Sequence, residues 1–137
     1  MKNLRSTRAA LVVLLMATAA HAQQPIVSAT VPFNFAVGDR VYPAGNYLFK
    51  NDGVVMLITD ADRAKTEVTL SHSCERTARS ADTKLVFDTM GGYYFLRQIW
   101  VAGDLAGREL PRSRTEVRLA QNHEQQESVI VAANMSR

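Results

Sequence analysis

Residues 84–101, KLVFDTMGGYYFLRQIWV, constrain the fold of this chain more than any other stretch. They hold the only Trp, two of the four Tyr and two of the five Phe. Two apolar runs flank Met90-Gly91-Gly92, and β-formers on either side of a Gly-Gly step predict a β-hairpin. Under simple alternation the second run, Tyr93 to Val101, is apolar on both sides. Tyr93, Phe95 and Ile99 take one face; Tyr94, Leu96 and Trp100 take the other. A strand buried on both faces sits centrally, with material packed above and below it.

The rest of the chain has the texture of strands and tight turns. Gln23 to Ala29 is a short polar lead. In TVPFNFAV, residues Val31, Phe33, Phe35 and Val37 alternate with Pro32, Asn34 and Ala36, which predicts a half-buried strand. Pro32 cannot donate to a ladder and places that strand at an edge or at a strand start. Gly38-Asp39, Pro43-Ala44-Gly45 and Asp52-Gly53 are turn signals. The unbroken run Val54 to Ile58 suits a central strand. From Thr66 to Cys74 alternation returns, with Val68, Leu70, His72 and Cys74 on the face expected to point inward. Arg76 to Asp82 reads as a loop, as do Ala102 to Gly107. Ser113-Arg114-Thr115-Glu116 is a capping box after Pro111, so one helix is expected over about 113–122, with Val117, Leu119 and Ala120 as its apolar face. Val129 to Val131 makes a last strand that could pair with the first and hide two edges. The expectation is a mainly β, single antiparallel β-barrel or β-sandwich of six to eight strands with one short helix.

The first 22 residues read differently. Lys2, Arg5 and Arg8 precede the 12-residue apolar run Ala9 to Ala20, and Ala20-His21-Ala22 is an A-x-A site. These are the parts of a secretory signal peptide in order, and the apolar run is shorter than the roughly 20 residues that span a bilayer. Residues 1–22 are therefore expected to be a signal peptide and 23–137 one β-rich domain, exported to the periplasm or beyond and not an integral membrane protein after cleavage. Without the leader the chain carries 13 Lys and Arg against 13 Asp and Glu, so nucleic-acid binding loses its usual electrostatic support.

No motif assembles a catalytic set, and no catalytic residue is assigned. His72 and Cys74 share a strand face, but two ligands are too few for a metal site, and no cofactor is expected. Cys74 is the only Cys, which precludes an intramolecular disulfide and leaves a free thiol. His72 beside Cys74 keeps open a small hydrolase or thiol enzyme; burial of both in the core is the plainer alternative. No G-x-S-x-G and no Gly-rich loop before a helix is present. The strands are too short for a transmembrane barrel. Tyr93, Tyr94 and Trp100 are weak candidates for stacking on a sugar or peptide, since alternation divides them between two faces.

The segments VPFNFAVG (31–38), PAGNY (43–47), YFLRQIW (94–100) and GRELPRSRTE (107–116) together resemble a family of short exported bacterial proteins with no established function. The resemblance implies export and a compact single domain, and carries no site residues. The function expected is non-enzymatic binding of a cell-envelope component such as a polysaccharide, a carbohydrate, or another exported protein. A small barrel holding an apolar ligand is the remaining alternative.

Overall fold

The computed structural model describes residues 24–122 and 125–136, so the expected signal peptide lies outside the described residues. Two sheets face one another in a sandwich-like arrangement that does not close into a barrel. The first sheet has five strands: β1 (Ile26–Val31), β4 (Gly45–Asp52), β5 (Val55–Asp60), β6 (Lys65–Leu70) and β12 (Asn134–Ser136), in the order β12-β1-β4-β5-β6. The second has seven. Its main path is β11-β8-β9-β10-β7, made by β11 (Glu127–Ala132), β8 (Lys84–Met90), β9 (Tyr93–Trp100), β10 (Ala106–Glu109) and β7 (His72–Glu75). The hairpin of β2 (Phe35–Val37) and β3 (Arg40–Tyr42) joins it through a parallel contact of β2 with β9. One helix, α1 (Arg114–Gln121), packs against β8.

The strands number twelve among the described residues, not six to eight, because the expected strand from Thr66 is cut in two and because β1, β10 and β12 lie wholly or mostly outside the expected strands. The chain changes sheet at several places. Pro32 to Asn34 separates β1 from β2, Ser71 separates β6 from β7, and Ala133 separates β11 from β12. The expected closure is thereby split: β12 pairs with β1, while β11 pairs with β8. The polar lead contains β1, whose Val27, Ala29 and Val31 are buried, and the expected loop after Val101 contains β10. The expected strand at Val54 to Ile58 appears as β5, which starts at Val55, lies inside the sheet and has only one fully buried face, with Met56 and Ile58.

The inner faces meet in one core. Val27, Phe49, Met56 and Ile58 come from the first sheet; Phe35, Leu85, Phe87, Leu96 and Ile99 come from the second. Aromatic edges and faces order its centre: Phe35 lies edge-on to Tyr47 and Phe87, and stacks on Tyr42.

The inward face expected for Thr66–Cys74 is reversed. Val68 and Leu70 are 56% and 58% exposed, whereas Glu67 and Thr69 are half-buried and Ser71 is buried. Register decides this, since a slip of one residue exchanges the faces of a strand. Met56 and Ile58 pair with Thr69 and Glu67, which leaves Val68 opposite Leu57 on the outside. The turn before β6 holds that register. Asp60 Oδ1 accepts the backbone N–H groups of Asp62 and Arg63, and Asp62 accepts both the backbone and side-chain N–H of Asn46. Glu67 is then gripped by Lys65 at 2.8 Å and Arg40 at 3.1 Å.

These three carboxyls titrate below their ordinary values. The Lys65 ammonium, with the Tyr42 hydroxyl and Arg40 behind it, holds Glu67 down to about 2. The Asn46 donors lower Asp62. Burial works against ionisation of Asp60, but the Arg63 side chain and the turn N–H groups outweigh it. In the unfolded chain Asp and Glu titrate near 4. A group depressed on folding adds stability that is complete above its unfolded value and lost as pH falls through its folded value. The urea midpoint should therefore be level above about pH 5 and fall steadily between about pH 4 and 2. Glu67→Gln should flatten the lower part of that fall.

The hairpin forms as expected, and Gly91 and Gly92 show why the step is Gly-Gly. Their φ values are 58° and 77°, the pair of positive angles that a type I′ hairpin turn requires. Simple alternation fails further along β9. Val86 pairs with Gln98 but Phe87 pairs with Leu96, so Arg97 is the extra residue of a β-bulge. The bulge turns Ile99 into the core beside Leu96 and turns Trp100 to the outer face.

Candidate ligand-binding site

A pocket of about 260 Å³ lies at one end of the sandwich, open between the two sheets. Val27, Phe49 and Met56 line it from the first sheet, and Ile99 with the adjacent Val101 lines it from the second. It exists because β1, β4 and β5 carry inward apolar residues at this end, while β10 opposite offers Gly107 and small Ala106, with Arg108 at the rim. Its wall therefore falls short of filling the space between the sheets.

Gln24, Asn51, Ser73, Asp104 and Arg108 supply the polar part of the lining. The Asn51 carboxamide oxygen is buried there with no hydrogen-bond partner among the described residues. An occupant's donor would satisfy such a group, whose isolation otherwise costs about 1–3 kcal/mol. Arg108 shapes the rim: its guanidinium donates to Ser71 Oγ at 2.7 Å, Ser71 O at 2.8 Å and Gly53 O at 2.6 Å. That one side chain ties the sheet-changing corner at Ser71 to the β4–β5 turn. Sequence reasoning missed the pocket. The alternation of Val27, Ala29 and Val31 marks β1 as a core strand, but nothing in the sequence marks the gap between the sheets.

The residues singled out in the sequence are not brought together. Tyr93 and Trp100 stand at opposite ends of β9, about 20 Å apart at the rise of a strand. Tyr93 is exposed at the turn. Tyr94 is half-buried and stacks on Phe33 with ring centroids 3.9 Å apart. Trp100 is 1% exposed and lies against Gly107, with the Arg76 guanidinium 4.1 Å from its ring centre. His72 is exposed and pairs with Glu109, while Cys74 is half-buried and pairs with Gly107. Neither lines the end pocket. Burial pushes the Cys74 thiol up, with Glu109 adding to the effect, opposite to what an activated nucleophile needs. Among the described residues no cluster of three metal-ligating side chains occurs, and no helix is long and apolar enough to cross a membrane.

A second polar assembly lies under α1. The bulged Arg97 is buried with two buried acids, Asp88 and Glu116. Its Nε donates to Asp88 Oδ2 at 3.1 Å, its Nη1 donates to Leu110 O at 2.8 Å, and its Nη2 pairs with Glu116. Glu116 also completes the capping box: its backbone N–H donates to Ser113 Oγ, and its carboxylate accepts from Ser113 N–H. The helix thus buries its acid, while Val117 is exposed and Leu119 only half-buried, contrary to the apolar face expected. All of the assembly's residues but Asp88 fall within YFLRQIW and GRELPRSRTE, and their arrangement is that of a brace between helix and sheet.

No known protein family, curated protein or solved structure matches the chain.

Proposed function

We propose that this protein is an exported, non-catalytic binding domain that holds a small apolar molecule in the end pocket between its sheets. The observation that carries the proposal is the pocket's lining, in which apolar side chains from both sheets enclose about 260 Å³. That volume is just below the roughly 300–1,000 Å³ of ordinary small-molecule sites. It exceeds a ~150 Å³ apolar cavity of the kind that admits benzene. The ligand class is therefore a compact, mostly apolar molecule with one hydrogen-bond donor for Asn51. The leader-like residues 1–22 support export, and the raised Cys74 thiol favours binding over thiol chemistry.

The test uses N-phenyl-1-naphthylamine, an uncharged apolar fluorophore. A saturable rise in its emission with wild-type protein, abolished by Ala106→Phe at unchanged melting temperature, is the expected result. Ala106 lines the pocket from an exposed position, so the larger side chain fills space without disturbing the core. No saturable rise, or one that Ala106→Phe leaves intact, overturns the proposal.

A further inference from the structure

We propose that the outer face of the seven-stranded sheet is a second site, separate from the end pocket, that binds an acidic carbohydrate through Arg76, Lys84 and Arg112. The three cations line one open groove of about 450 Å³ across β8, β9 and β11. Among the described residues none of them has an ion-pair partner. Arg97 also lines the groove but is shared by Asp88 and Glu116, so with Glu109 three acids stand against four cations. The groove therefore has unmatched positive charge on a chain whose charge, without its leader, is balanced.

One of the cations is held in place, and a second starts beside it. Lys84 stands opposite Trp100 in the strand pairing, and Arg76 lies on the Trp100 indole. A guanidinium held over a ring can keep N–H groups available for a carboxylate and loses less freedom on binding than a solvated one. The rest of the lining suits sugar hydroxyls. Gln98 accepts from Trp100 Nε1 at 3.1 Å and keeps its NH₂ as a donor, while Gln126 and Ser128 offer exposed amide and hydroxyl groups. Nucleic acid fits less well. Binding of single strands relies on aromatic platforms, and the groove's indole is buried beneath Arg76.

Trp100 is the only Trp, so its emission reports directly on what happens to Arg76. Purified protein is titrated at low salt with trigalacturonate, with its uncharged methyl ester, and with an oligothymidylate of equal charge. The expected result is a saturable change with trigalacturonate that weakens with added salt and is lost with the ester. Each of Arg76→Gln and Arg112→Gln should weaken binding by about tenfold, the loss of one charge-assisted contact. Arg112→Gln touches neither Trp100 nor the core, so it tests the site even if Arg76→Gln loosens the indole. Equal binding of the ester, tighter binding of the oligothymidylate, or no binding by emission or calorimetry overturns the proposal.

Discussion

Arg97→Met is expected to lower the free energy of unfolding by about 3–5 kcal/mol, the cost of leaving buried carboxylates without their cation. Such a loss is a large part of the ~5–15 kcal/mol that holds a domain of this size together. Asp88, Arg97 and Glu116 are all more than nine-tenths buried, and the guanidinium donates to Asp88 and Leu110 O and forms an ion pair with Glu116. Without Arg97, both acids face low dielectric without a counter-charge, and Glu116 keeps only its capping bond from Ser113 N–H. Glu116 is also the only fully buried residue of α1, so the helix should detach early. Urea denaturation gives the total, and limited proteolysis within residues 114–121 should accelerate well before the sheets open. Replacing Asp88, Arg97 and Glu116 together with apolar residues of similar volume should recover most of the loss, because an ion network contributes less than it costs to break. If Arg97→Met stays within about 1 kcal/mol of the parent, the network does not brace the helix.

The features legible in the sequence were those set by local chemistry. The Gly91-Gly92 turn, the Asp52-Gly53 turn and the Ser113 capping box each require particular residues at fixed offsets, and each formed where its residues predicted. The mainly β fold and its two-sheet option follow from the same alternations. What escaped was set by pairing between distant segments. The faces of Val68 and Glu67 depend on the register against β5, where Ile58 selects Glu67, and no pattern within 65–70 states that. The bulge at Arg97 is invisible to a period of two, yet it decides that Ile99 enters the core and Trp100 leaves it. Arg97 in an apolar strand and Glu116 in a helix that lacks a strong apolar face were two local anomalies with one cause. The end pocket escaped because a cavity is a shortage of side-chain volume between sheets, and alternation records direction only.

Gly107→Ala carries the second large effect and tests how the hairpin is held. A Cβ at residue 107 would stand 2.7–2.9 Å from three carbons of the Trp100 indole, closer than real side chains approach. The indole cannot swing away freely, since it is 1% exposed and lies beneath Arg76. Either the ring or β10 must move, and overpacking of this kind costs about 1–3 kcal/mol. Moving β10 disturbs both neighbours, because it pairs with β9 at residues 108 and 109 and with β7 at residues 106–109. Trp100→Ala removes the ring instead and should cost about 3–5 kcal/mol. The decisive measurement is the double variant. A contact clash predicts that alanine at 107 costs far less once the indole is gone, so the two losses should fall short of additivity by at least ~0.5 kcal/mol. In Gly107→Ala alone, the single Trp should emit at longer wavelength as the ring gains solvent. Strict additivity with unchanged emission would mean that Gly107 matters for its own backbone, not for the space it leaves to Trp100.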